Sequence, residues 1–434
     1  MKVKKLPQLN MNPAFTLLGV RSLVTLALFL SVSSFPAKAV PLEETTTPRT
    51  FADWCLNKDN LSVETRHTVD VLLEVATTQD CYRADKLLSI RTELFFEDGE
   101  IQNYRTIPQD CKVDKLPSTS TKLSSENQGI TDLRPLSSLI NLDTLVLCRN
   151  QITDLRPLST LTNLTHLVLS SNQIADLKPL STLTNLTNLE LHNNQITDLR
   201  PLSTLTNLTS LNLGDNQITD LSPLSILTNL TNLELHNNQI ADLKPLSTLT
   251  DLTGLVLGDN QIADLTPLST LINLANLFLY NNRVTDIKPL SILTQLNALS
   301  LDNNPVADLT PLSTLIHLTF LSLSDNQITD LKPLSILTRL TFLSLDNNSI
   351  ADLKPLSILT NLSVLSLDNN SIADLTPLSR LTNLEGLFLR NNSIADLTPL
   401  SRLTNLSHLF LGSNETLINK TCPLKPSYIC RFIH

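Results

Sequence analysis

The chain has 434 residues, of which 41% are hydrophobic and only 4% aromatic, with eight glycines and a formal charge of −9. So little glycine excludes phosphate-cradling glycine loops and glycine-rich calcium-binding repeats, and so few rings require a core built almost wholly from Leu and Ile. The acidic balance repels phosphate backbones, which disfavours a nucleic-acid partner, but it tolerates basic protein patches, cationic glycans or divalent ions.

Lys2, Lys4, Lys5 and Arg21 precede an apolar run, Leu23–Val32, which is followed by Ala37-Lys38-Ala39. This order reads as a signal peptide over 1–39, cut after Ala39. The run is short for a membrane helix, which takes roughly 20 apolar residues; an uncleaved anchor is the competing reading. Cleavage removes five basic and no acidic residues and takes the formal charge from −9 to −14. No second apolar span follows, so the mature chain is expected to be exported, secreted or periplasmic, with no membrane span.

Residues 40–50, rich in Pro and Thr, read as a tether. Residues 51–92 read as a small helical cap. In Val63–Ala76, the residues Val69, Leu72, Leu73 and Ala76 fall at helical spacing, and Ser62 is a candidate N-cap. Arg83–Arg91 forms a candidate second helix. Such a cap is needed because the first coil of a stacked array would otherwise expose its leucines.

Residues 93–128 hold two degenerate units and an insertion. Glu93–Ile101 keeps the strand and turn with Gly99 in place of a recurring asparagine, and Lys122–Ile130 keeps the phase with Gln128 there. Tyr104–Ser120, the insertion between them, contains Cys111.

Residues 129–414 carry thirteen units of 22 residues on the phrase LxxLxLxxNxIxDLxPLxxL. The asparagine column is Asn150, Asn172, Asn194, Asn216, Asn238, Asn260, Asn282, Asn304, Asn326, Asn348, Asn370, Asn392 and Asn414. In each unit a short strand alternates, as where Leu167 and Leu169 point inward and Val168 outward. The chain then turns inward. Asn172 there offers both a donor and an acceptor to backbone groups of its own turn and of a neighbouring coil, and its repetition makes a structural ladder. In Asp176-Leu177-Lys178-Pro179-Leu180-Ser181, Asp is expected to N-cap and Pro to occupy the first turn of a 3-10 or single helical turn. The Asp column should be partly offset by Arg134, Arg156, Lys178, Arg200, Lys244, Lys288, Lys332 and Lys354, two residues further on, as solvation of the convex side. Asn-Leu-Thr at Asn163, Asn185, Asn207 and Asn229 reads as part of the unit rather than as a modification signal.

Residues 415–434 read as a C-terminal cap. All six cysteines, Cys55, Cys81, Cys111, Cys148, Cys422 and Cys430, lie at or beyond the two ends of the array. An even count in an exported chain favours disulfides; Cys55–Cys81 would close the N-terminal cap, worth roughly 3 kcal/mol, Cys422–Cys430 would close a local loop, and Cys111–Cys148 is a suggested pairing. No CxxC spacing points to zinc.

Outward strand positions are those without an evident structural duty. In the N-terminal half they include Glu190, His192, Asn212, Glu234 and His236, whose two Glu/His pairs stand two coils apart, roughly 10 Å, too far for compact metal ligation. Further on come Phe278, Tyr280, Phe320, Phe342, Phe388 and Phe410, interleaved with Asp302, Asp325, Asp346, Asp368 and Arg390. Exposed rings among charges on a rigid sheet are candidates for ligand binding; the alternatives are that an expanding repeat drifted through Phe, or that the rings cover one another. No catalytic phrase, cofactor site or metal site is evident, so no enzyme is expected.

Across 129–414 the phrase DLxPLSxLTNLTxLxLxxN resembles the bacterial leucine-rich repeat class with 22-residue units, shared by the exported internalins and by the leucine-rich regulatory subunit of type-1 protein phosphatase. The resemblance implies an α/β repeat solenoid: a leucine-rich repeat arc with a parallel concave β-sheet, short 3-10 turns on the convex side and a small helical N-terminal cap. Internalins imply adhesion through the concave sheet, hence a monomeric extracellular or periplasmic scaffold for a protein or glycan. No LPxTG or hydrophobic anchor follows Asn414, so covalent surface display is not expected. The alternatives are an envelope repeat protein without a dedicated ligand, or a phosphatase-regulator-like protein, which would be cytoplasmic and conflicts with the signal peptide.

Overall fold

The computed structural model describes residues 50–89, 93–95, 129–417 and 421–432. The expected signal peptide, most of the tether, the insertion with Cys111 and the unit at Lys122–Gln128 lie outside the described residues.

Three helices form the N-terminal cap: α1 (Phe51–Leu56), α2 (Val63–Val75) and α3 (Cys81–Ser89). α2 starts as expected at Ser62, whose hydroxyl accepts from the Thr65 N–H. α3 begins earlier than the sequence suggested, because the Asp80 carboxylate accepts from the N–H groups of Tyr82 and Arg83. α1 was not anticipated. It is too short to show a periodicity, and its one signal is the reciprocal cap between Thr50 and Asp53. A Cys55–Cys81 disulfide joins α1 to α3, and Phe51, Leu72, Leu73 and Leu88 are fully buried. The cap docks on the first coil through Thr65 and Thr68: Thr68 donates to the Asp132 carbonyl at 2.8 Å, and Arg134 donates to the Thr65 hydroxyl at 2.6 Å.

Among the described residues, fifteen short strands form one parallel sheet in sequence order. β2 (Thr144–Val146) is followed by an equivalent strand in each unit as far as β14 (His408–Phe410). Each pairs in a register offset of one repeat, as where Thr144 faces His166. Two strands lie beyond the regular array. β1 (Glu93–Phe95), in the first degenerate unit, pairs directly with β2, Glu93 facing Thr144. At the other end β15 (Cys430–Arg431) adds to β14, with Phe410 facing Arg431. The described part of the C-terminal cap holds a 3-10 turn, Ser427–Ile429, and this two-residue edge strand, tied by the Cys422–Cys430 disulfide. So short an edge leaves little to template further pairing. Cys148 is disulfide-bonded; its suggested partner, Cys111, lies outside the described residues.

The core is a stack of identical layers. Leu164, Leu167, Leu169, Ile174, Leu177, Leu180 and Leu183 are each at most 1% exposed, and every such side chain contributes about 1.5–3 kcal/mol by leaving water. On the convex side each coil makes a five-residue 3-10 turn, such as Lys178–Thr182. Here one detail differs from expectation. Leu177 is the N-cap, and Asp176 stands one residue outside it, accepting from the Lys178 N–H at 2.8 Å; Pro179 is then the second residue of the turn. Arg134, Arg156 and Arg200 pair with the preceding aspartates at 2.7–2.8 Å. The lysines of that column make no such pair among the described residues, since a guanidinium fork reaches a carboxylate two residues away where a point charge on a flexible stem stays hydrated. Asn163, Asn185, Asn207 and Asn229 each donate to a carbonyl of the preceding coil at 2.8–2.9 Å, so these amides brace the stack.

Candidate functional site: the concave surface

The turn after each strand positions the concave face. Asn172 accepts from the Ile152 N–H at 3.0 Å and donates to the carbonyls of Leu169, Ser170 and Leu147. Its amide thus joins its own turn to the preceding coil, and the same pattern recurs along the column, as at Asn304.

The residue before each ladder asparagine has φ between +50° and +58°, from Arg149 to Ser413. This left-handed conformation is tolerated best by Asn and Asp. Asn fills it in seven coils and Asp in three, Asp215, Asp259 and Asp325. Asp325 was read as an outward strand residue; it belongs instead to this turn, where its exposed carboxylate borders the sheet. Asp215 and Asp259, which strand alternation does not single out, stand in the same column.

Along the third outward column large and small residues alternate. A Cβ on Gly214 would lie 2.2 Å from the His236 ring, and one on Gly258 would lie 2.2 Å from the Tyr280 ring. Each ring therefore lies over the glycine of the preceding coil, and the glycine is required by that close approach rather than by its own backbone. His236 Nε2 is 3.3 Å from Asp215 Oδ2, while Asn237 donates to Oδ1 at 2.6 Å. Burial works against the imidazolium, but the Asp215 hydrogen bond and charge outweigh it, so the His236 pKa is raised. The same hydrogen bond from His236 lowers that of Asp215. Glu190 and His192 approach to 3.8 Å. Glu234 accepts from Asn212 at 3.1 Å, and its charge, like that of Asp215, favours the His236 imidazolium. Burial raises the Tyr280 pKa, helped by the negative charges of Asp259, Asp215 and Glu234.

In the C-terminal half the structure corrects the reading of three aspartates. Strand alternation assigns Asp302, Asp346 and Asp368 no structural duty. Each instead accepts a backbone N–H of the following coil at 2.6–2.7 Å, from Ser324, Asp368 and Arg390 respectively. Asp302 also accepts from the Ser300 and Ser322 hydroxyls, Asp346 from Ser366, and Asp368 from the Arg390 guanidinium at 2.7 Å. Strand spacing could not reveal this, because the donors lie in the neighbouring coil. Burial pushes Asp346 up to about 6, with the charge of Asp368 adding to it.

The rings stand in pairs. Phe320 and Phe342 stack at 4.5 Å with planes 9° apart, and Phe388 and Phe410 at 4.9 Å and 7°. Arg390 and Arg431 lie 5.4 and 5.0 Å from the Phe410 ring. Phe278 is only 8% exposed. The four stacked rings remain half-buried, so they cover part of one another's faces and turn the remainder toward the concavity. Sequence reasoning missed Arg431 because it comes from the C-terminal strand, out of phase with the repeat. Among the described residues, no three His, Cys, Asp or Glu side chains converge as a metal-binding group, and no helix is long and apolar enough to cross a membrane.

The sequence matches a family model described as leucine-rich repeats in two copies, over 140–182, 162–203, 184–226, 228–270, 272–314, 316–357 and 338–380. No curated protein matches it. Among solved structures the chain is similar to an internalin (inlF) from Listeria monocytogenes, at 34% identity and TM-score 0.71, over 84% of this chain and 97% of that one. It is also similar to a leucine-rich repeat protein of Leptospira interrogans, at 26% identity and TM-score 0.66, over 81% and 92%. A third match is the functional domain of InlJ from Listeria monocytogenes, at 29% identity and TM-score 0.56, over 65% of each chain. Repeat phrase and fold agree with these matches: the chain belongs to the leucine-rich repeat family and is an internalin-like bacterial member of it.

Proposed function

We propose that this protein is an exported, monomeric binding scaffold that recognises another protein through its concave sheet. The observation that carries this reading is the pair of phenylalanine stacks on the concave face, set among carboxylates, serines and asparagines. Apolar groups held rigidly inside a polar rim are what a protein interface core requires. A glycan would call for open ring faces, and these rings spend much of theirs on each other. Disulfides at both ends suit an oxidising compartment, in keeping with a signal peptide cut after Ala39.

The test is affinity capture from host and bacterial surface fractions with the parent chain and with the triple variant Phe320→Ser, Phe342→Ser, Phe388→Ser. A saturable partner lost in the variant, at an unchanged melting temperature, supports the reading. A partner retained by the triple variant removes this surface from consideration, and no saturable partner at all favours an envelope repeat protein without a ligand.

A further inference from the structure

The charge of the concave face is one-sided. From His166 to Asn369, the outward strand positions and the turn column of ten successive coils, β3 (His166–Val168) to β12 (Val364–Ser366), contain no Lys or Arg. Carboxylates recur there: Glu190, Asp215, Glu234, Asp259 and Asp325, besides the three serine- and amide-tied aspartates described above. The chain's 32 Lys and Arg lie elsewhere, many of them in the convex column beside Asp.

The turn aspartates point to more than solvation. Asn fills their column in seven coils, and it makes the same cross-coil contact: Asn303 donates to Asn281 at 2.8 Å, as Asn281 does to Asp259 at 2.6 Å. The fold is served equally by Asn, so the negative charge at 259 and 325 is surplus to it, whereas that at 215 also faces His236. Asp215, Glu234 and Asp259 come from three successive coils, and their charges reach the phenol of Tyr280 in the next. The stacked rings of Phe320 and Phe342 begin two coils further on.

Resting on the concave-face reading, we infer that the partner is a basic protein, presenting a Lys- or Arg-rich segment across the Glu190–Asp259 coils and apolar side chains against the Phe320–Phe342 stack. Cationic side chains would complement a stretch of carboxylates that holds no Lys or Arg, and the long-range field would speed encounter in a salt-dependent way.

The experiment selects phage-displayed random dodecapeptides on the immobilised full chain. Recovered peptides are then measured against the parent, against the neutralised variant Glu190→Gln, Glu234→Gln, Asp259→Asn, Asp325→Asn, and against the triple Phe→Ser variant. The expected result is enrichment in Lys and Arg. Affinity should fall about tenfold or more in the neutralised variant, and also when salt rises from low to physiological. Peptides without basic enrichment that lose binding only in the Phe→Ser variant would overturn the charge inference and leave the concave reading standing. Basic peptides indifferent to both variants would overturn both. Enrichment no greater than in the unselected library counts against the inference as well.

Discussion

Replacing one ladder asparagine tests the physical basis of the whole arc. Asn304 is 3% exposed; it accepts from the Val284 N–H at 2.9 Å and donates to the carbonyls of Leu279, Leu301 and Asp302 at 2.9–3.1 Å. Not all of these groups depend on it equally. Leu279 O also accepts from Asn282, and Leu301 O from Asn326, so both carbonyls keep a donor in Asn304→Ala. The fully buried Val284 N–H loses its acceptor and becomes an orphan. One buried unmade hydrogen bond costs about 1–3 kcal/mol, and the lost packing brings the expected total to about 3 kcal/mol. Asn304→Asp keeps the acceptor but points a second carboxylate oxygen at three carbonyls, so at neutral pH it should cost more than alanine, about 3–5 kcal/mol. The introduced carboxyl would have a folded pKa above its unfolded one. Its penalty is therefore absent below about pH 4, where both states are protonated, and grows as the pH rises toward the folded value. Urea unfolding followed by far-UV circular dichroism at pH 4.5 and 7.5 measures both variants, with hydrogen exchange at Val284 to locate the damage. An aspartate variant as stable as alanine at pH 7.5, or an alanine variant within about 0.5 kcal/mol of the parent, would refute the account of the ladder.

Three further outcomes follow from the same geometry. Gly214→Ala should lose about 1–3 kcal/mol, since its Cβ would fall 2.2 Å from the His236 ring; adding His236→Ala should recover most of it in a thermal-melt double-mutant cycle, and no recovery would mean the glycine serves its own backbone. Burial raises the Asp346 pKa to about 6, above an unfolded value near 4. Protonated Asp346 therefore favours the fold below pH 4, and that advantage fades as the pH climbs to 6; Asp346→Asn should flatten this limb of a pH–stability curve by on the order of 2 kcal/mol. Replacing Cys55 and Cys81 by Ser opens a loop with a sequence separation of 26 and should cost the cap roughly 3 kcal/mol, seen as an earlier transition in the fluorescence of Trp54, the single tryptophan.

What the sequence determined is everything that repeats. A 22-residue period places Leu and Ile inward, Asn in the turn and Asp before the convex turn, because these roles depend on spacing within one coil, and each coil packs only on its like. Helix α2 was legible from its spacing and its Ser62 cap, whereas α1 and the start of α3 rested on single polar residues, Asp53 and Asp80, that carry no periodic signal. What only the tertiary structure decided lies between coils. That Asp302, Asp346 and Asp368 are tied to the next coil's amides, that His236 finds Asp215, and that the phenylalanines stand in two stacks are all relations between residues about one repeat apart. Their outcome depends on which way a side chain leans across a strand spacing of about 4.8 Å, and on what its neighbour leaves room for. The joins at the ends, β1 to β2 and β14 to β15, were hidden for the same reason: they break the period, and a pattern announces only what it repeats.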